Sequence, residues 1–240
     1  MDTKHISSAF DRDLEGAQAM VMRMAGLVEE AMGRAADALA EQDVEKAEQV
    51  RKSDRAIDEL DEAIKLDCAR ILATRAPTAG DLRIVLSVMS IATNLERCGD
   101  YAKNIAKRTI ILADGTPVEG ISSALRRMQK MVGAMIRDAI DAYIQRDADK
   151  AEEVRARDCD VDEMYNLVFR SLLTHMMEDS HQITACMHLH FIAKNIERMG
   201  DHTTSICEQV IYLVTGDLPD EDRPKGDRTS LAAMDGPDGA

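Results

Sequence analysis

The chain repeats itself at an interval of about one hundred residues, so its fold must accommodate the same unit twice. Lys46-Ala47-Glu48-Gln49-Val50-Arg51, followed by Asp54 and Asp58-Glu59, returns as Lys150-Ala151-Glu152-Glu153-Val154-Arg155, followed by Asp158 and Asp162-Glu163, at an offset of 104. Asn94-Leu95-Glu96-Arg97-Cys98-Gly99-Asp100 returns as Asn195-Ile196-Glu197-Arg198-Met199-Gly200-Asp201 at an offset of 101. The three-residue difference belongs in the loops, where a change of length costs least.

Each unit reads as helix. Between Phe10 and Gly216 the only prolines are Pro77 and Pro117, both in expected loops. Val85, Val88, Ala92, Leu95, Gly99, Ala102 and Ala106 step alternately by 3 and 4, the seam of a helix in a bundle, and Cys186, Leu189, Ala193, Ile196, Gly200, Thr203 and Cys207 repeat it. Turn signals near Gln42-Asp43, at 75–80, at 114–120, near Arg146-Asp147 and at 178–181 delimit six helices of about 25 to 35 residues, with links short enough for antiparallel neighbours. The expected fold class is all-α: two tandem three-helix bundles over residues 1–114 and 115–215. From 216 to 240 Gly, Pro and charge replace the pattern, and a disordered tail is expected.

Composition agrees and excludes some partners. Aromatic residues are 3% of the chain and Trp is absent, so the core must pack through aliphatic side chains and the fifteen Met. A net charge of -14 argues against nucleic acid and against anionic membrane surfaces, because both need a basic stripe. The N-terminus has no basic segment followed by an apolar run, and stretches such as 84–92 are too short to span a bilayer. Five Cys without C-x-x-C spacing fit reduced core thiols, and with them a cytoplasmic location.

Each repeat also carries two acidic i,i+4 pairs: Asp54/Asp58 with Glu96/Asp100, and Asp158/Asp162 with Glu197/Asp201. With 44 acids in 240 positions about eight such pairs arise by chance, so placement must decide. On the second helix the seam reads Val50, Ser53, Ile57, Leu60 and Ile64, which puts Asp54 and Asp58 on its flank, as Glu96 and Asp100 flank Leu95 and Gly99. Equivalent flanks of antiparallel helices face one another, and the pairs are equidistant from the connecting loop, roughly 30 Å away. Four carboxylates at one level need positive charge. Arg55, Arg97, Arg157 and Arg198 stand beside the acids but point about 100° away. A hard cation suits an all-oxygen set, and Gly99 and Gly200 would admit the partner helix closely.

Other signals carry less. Glu178-x-x-His181 has di-iron spacing but lies at a turn and has no second copy; His188 and His190 point to different sides of a helix. His202 borders the second acidic group, but Tyr101 replaces it in the first, so it is not named as a ligand. Thr78-x-x-Asp81 reads as an N-cap pair.

The duplicated N-x-E-R-x-G-D, the upstream D-x-x-x-D, the 75–83 loop Arg-Ala-Pro-Thr-Ala-Gly-Asp-Leu-Arg and Met176-Met177-Glu178-Asp179-Ser180 together resemble the PhoU family of bacterial phosphate-transport accessory proteins, over residues 4–215. The resemblance implies a non-enzymatic, cytoplasmic regulator of phosphate uptake, a homodimer that represses the phosphate-starvation response and links the ATPase subunit of a phosphate ABC transporter to a sensor histidine kinase. It also implies metal clusters at Asp54, Asp58, Glu96 and Asp100 and at Asp158, Asp162, Glu197 and Asp201, filled by divalent or trivalent ions such as iron, manganese, magnesium or zinc. Cys98 and Met199 stand where the family commonly has an aliphatic residue. The competing readings are a carboxylate-cluster metalloenzyme and a metal-free helical scaffold.

Overall fold

A computed structural model describes residues 3–77 and 79–219, with side chains from Phe10 onward. The expected Thr78 cap and the tail from residue 220 lie outside the described residues. The elements are α1 (Thr3–Glu41), α2 (Val44–Arg75), α3 (Ala79–Leu112), α4 (Ile121–Gln145), α5 (Ala148–Ala156), α6 (Asp158–Glu178), a short 3-10 turn (Ser180–Gln182) and α7 (Ile183–Thr215).

Among the described residues seven helices replace the six expected, because the second repeat's middle helix divides at Arg157. There the Arg157 amide donates to the Val154 carbonyl at 3.2 Å and the Asp160 amide to Arg157 at 3.1 Å, a local tightening to i,i+3 bonding. Arg157 itself stays right-handed helical (φ -68, ψ -14).

The link from first to second helix is built the same way in both repeats. Gln42 and Arg146 each take a left-handed conformation (φ 52), and the next residue closes the preceding helix, Asp43 N–H to Ala38 O and Asp147 N–H to Ala142 O, both at 3.0 Å. The same aspartates open the next helix by accepting the Lys46 and Lys150 amides at 2.9 Å. Gln42 has compensation for its strained backbone, since its carboxamide donates to the Leu112 and Gly115 carbonyls at 3.3 Å each.

α2 packs against α1 and α3, and α5 and α6 against α4 and α7, while α1, α3, α4 and α7 pack on one another in the middle. The largest helix pair is α3 with α7. They run antiparallel: Ser87 lies against the Gln209 carbonyl, Asn94 against His202, Cys98 against the Met199 carbonyl and Arg108 against His188. Cys98 and Met199 are equivalent in the two repeats, so the crossing point is the repeat's local two-fold. Both seams expected on α3 and α7 are buried, and each helix adds a second stripe spaced by seven, Ile84, Ile91, Cys98 and Ile105 on α3 and Ile192, Met199, Ile206 and Leu213 on α7. That stripe glues the repeats together.

On α2 the phase differs from expectation. The buried positions are Ala47, Val50, Asp54, Ile57, Ile64, Cys68 and Ile71, so the seam passes through Asp54, while Ser53 is exposed and Leu60 half-buried. In the second repeat Ala151, Val154, Asp158, Val161, Tyr165, Val168 and Leu172 form the same line. An aspartate can hold a seam position only where something satisfies it. All five cysteines are free thiols, and burial pushes those of Cys98 and Cys207 up to about 12, which leaves them inert.

Arg146 is exposed and has no carboxamide like that of Gln42 to offset its left-handed backbone. Arg146→Gly is therefore expected to stabilise the fold by roughly 0.5 to 1 kcal/mol in urea unfolding, and Gln42→Gly to gain less or lose.

Candidate metal centre

In the first repeat Asp54 is 4% exposed and sits inside the seam, Glu96 and Asp100 are half-buried, and Asp58 is exposed at the rim. The Lys103 ammonium donates to Asp54 and, at 3.1 Å, to Asp100, bridging α2 and α3 at the level of the acids. Arg97 approaches Glu96 at 3.5 Å and Asp100 at 3.7 Å from the solvent side. Of the adjacent arginines expected to point away from the acids, Arg55 pairs with Glu59 and Arg157 with Asp138 of α4, whereas Arg97 does reach them. A fifth carboxylate, Asp61, lies one turn further along the α2 seam and pairs with Lys65 at 2.6 Å.

These groups feel one another. Burial, then the Asp54 carboxylate, pushes Asp58 above the ordinary aspartate range. Burial, then Asp100, does the same to Glu96, with Asp61 adding to it. Hydrogen bonding to Asp54 holds the Lys103 ammonium more firmly protonated than usual.

The second repeat buries its acids deeper: Asp158 and Asp162 are 2% exposed and Glu197 is 5%, with Asp201 half-buried. Its lysine comes from the other direction. Lys194, one turn before Glu197, donates to Glu197 Oε1 at 2.8 Å and lies 5.0 Å over the Tyr165 ring, which occupies the position of Asp61. Glu197 Oε2 is buried and accepts no hydrogen bond among the described residues.

The two glycines admit the partner helix at the acidic level. A Cβ on Gly99 would lie 2.9 Å from Ile57 Cδ1, and one on Gly200 would lie 2.5 Å from Asp158 Oδ1. A Cβ on Gly99 would also lie 3.6 Å from Asp54 Oδ1, so in each repeat the seam aspartate stands level with the motif's glycine. Sequence reading missed Lys103, Lys194 and Asp61. The lysines could have been found as the basic residues three positions from Asp100 and from Glu197, and Asp61 from the corrected seam.

Among the described residues no three carboxylate, imidazole or thiol groups converge to enclose a single cation as they stand. The donor set nevertheless suits a hard ion in kind, since it is all oxygen, faces across one groove, and includes the orphaned Glu197 Oε2. His202 is engaged elsewhere: its Nδ1 lies 2.9 Å from Asn94 Oδ1 and its ring is 5.6 Å from that of Tyr101. Glu178 and His181 are exposed on either side of the turn, and His190 packs against Tyr165 and Phe169. No helix among the described residues is long and apolar enough to cross a membrane.

A sequence model of the PhoU domain matches residues 21–109 and again 125–210. The chain belongs to the PhoU family. It is 45% identical over 222 residues to a phosphate-specific transport system accessory protein PhoU homolog of Zymomonas mobilis, covering 92% of this chain and 93% of that one. It is 40% identical to the homolog of Caulobacter vibrioides, covering 94% and 98%. The crystal structure of PhoU from Pseudomonas aeruginosa superposes with a TM-score of 0.84 at 37% identity, covering 87% of this chain and all of that one. The phosphate transport system regulatory protein PhoU from Streptococcus pneumoniae gives 0.82 at 33%, covering 88% and again all of that chain. The duplicated three-helix architecture is therefore that of solved PhoU structures.

Two outcomes follow from this PhoU site. Alanine gains roughly 1 kcal/mol over glycine inside a helix. At Gly99 the new methyl meets Cδ1 of the buried Ile57 and, at 3.2 Å, its branched Cγ2, so Gly99→Ala should cost up to about 1 kcal/mol; at Gly200 it meets a buried carboxylate, and Gly200→Ala should cost about 1 to 3 kcal/mol in urea unfolding. Burial raises Glu197 above its ordinary 4.5, against the hydrogen bond from Lys194. A carboxyl whose folded value is the higher one destabilises at neutral pH, and that cost is relieved as pH falls through the folded value toward 4.5. Metal-free protein should accordingly show a component of its melting temperature that rises as pH falls from neutrality toward 4.5, and Glu197→Gln should flatten it.

Proposed function

We infer that this chain is a cytoplasmic, non-enzymatic adaptor that regulates phosphate uptake and represses the phosphate-starvation response. It acts as a homodimer and couples the ATPase subunit of a phosphate ABC transporter to a sensor histidine kinase. The observation that carries this reading is kinship over 92% of the chain with a protein named as a phosphate-specific transport accessory protein, with matching domains in both repeats. Long, closely packed helices suit a body that presents surfaces.

Metal ions complete the adaptor. Asp54, Asp58, Glu96 and Asp100 hold one cluster, and Asp158, Asp162, Glu197 and Asp201 the other, filled by iron, manganese, magnesium or zinc. The ions supply the positive charge that lets carboxylates of α2 and α3, and of α6 and α7, share one groove. What supports this is the oxygen-only donor set, the raised carboxyl groups and the buried Glu197 Oε2.

Deleting the gene is expected to switch on phosphate-starvation genes in phosphate-rich medium, and the wild-type gene to silence them again. Continued repression in the deletion strain would remove the regulatory role. Elemental analysis of the purified protein is expected to find hard metal ions that Asp58→Asn with Asp162→Asn largely removes; equal metal in both proteins counts against these sites.

A further inference from the structure

We propose that Lys103 is a tethered counter-cation that occupies the first carboxylate cluster in the metal-free protein and must swing out for a hard divalent ion to bind there. The proposal rests on the metal reading above and concerns how that site is regulated.

Lys103 is placed as a bound cation would be. Its ammonium reaches across from α3 to the seam aspartate of α2 and back to Asp100, so one positive group joins acids from both helices. Asp54 is nearly fully buried, and a buried carboxylate on a packing seam is tolerable only when paired. Lys103 therefore explains why α2 can run its seam through an acid without a metal. The side chain is 27% exposed, so its flexible stem has an open route to solvent.

The same placement makes it a competitor. A divalent ion taking Asp54 and Asp100 as ligands would meet an ammonium already bonded to both. Either the lysine leaves or the ion is repelled at close range. The second repeat has Thr204 at the equivalent position, buried and bonded to the Asp201 carbonyl at 2.7 Å. Its lysine, Lys194, lies at the far end of the acidic pair and bonds Glu197. An ammonium three residues after the motif's aspartate, bonded to acids of both helices, is thus particular to the first repeat and gives that cluster a folded metal-free state.

Manganese titration of the full-length wild type, Lys103→Met and Lys103→Arg tests this, with melting temperatures taken with and without manganese. Lys103→Met keeps the stem and removes the charge; it is expected to bind Mn²⁺ at least about tenfold more tightly. That gain should vanish when Asp58→Asn is added, since Asp58 is an exposed member of the first cluster alone. Lys103→Arg should stay at the wild-type affinity or below it. Without metal Lys103→Met should melt lower than wild type, and manganese should restore it; a variant that folds only with manganese present supports the same conclusion. Equal Mn²⁺ affinity in wild type and Lys103→Met overturns the proposal and leaves the metal reading standing. So does an equal loss of melting temperature with and without metal. Absence of Mn²⁺ binding by both proteins overturns both readings.

Discussion

The antiparallel pairing of α3 with α7 is the contact on which the rest is arranged. It joins equivalent helices of the two repeats through stripes spaced by seven, with Cys98 and Met199 at the crossing. Each of these residues lies between the Glu and the Asp of its own motif. The acids therefore flank the axis of the pseudo-symmetry, and both carboxylate clusters stand at one height on opposite outer sides of the α3 and α7 pair. Fixing that one crossing fixes the two sites relative to each other. It also commits α3 and α7 to burial on more than one face, which is why their apolar residues outnumber those of a simple amphipathic helix.

Much of this was legible in the sequence for a physical reason. Helices have a period, and a duplicated motif shows which phase matters. The seams of α3 and α7 could be read because apolar or small residues fill every seam position from Val85 to Ala106 and from Cys186 to Cys207. On α2 the same rule misled, because it chose Ser53 and Leu60 over Asp54 and Asp61. Hydrophobicity is a poor guide to phase where charged groups are buried in pairs. The pairing partner, Lys103, is 49 residues away in the chain and becomes visible only when α2 and α3 are packed.

The division of α5 from α6 was invisible for another reason. No proline or glycine marks Arg157, and its backbone is ordinary helix by torsion. The irregularity is a change of hydrogen-bond partner by one residue, immediately before Asp158, in the place where the first repeat runs straight through Asp54. The two clusters consequently differ in detail although their motifs match. One bonds its lysine to acids of both helices and has an extra aspartate on its seam, and the other sets its lysine over a tyrosine at that seam position and buries three of its acids.

Tyr101 and His202 occupy the same position in the two repeats, and near the axis they lie against each other. Two identical chains meeting in this way would have to set tyrosine on tyrosine or histidine on histidine. Joining the halves covalently lifts that requirement, so every position along the crossing can be chosen twice. Lys103 and Thr204 are such a choice, as are Cys98 and Met199. A gene duplication retained in one polypeptide thereby turns a symmetric scaffold into one with a left and a right, its two acidic grooves alike in outline and different in the side chains that line them.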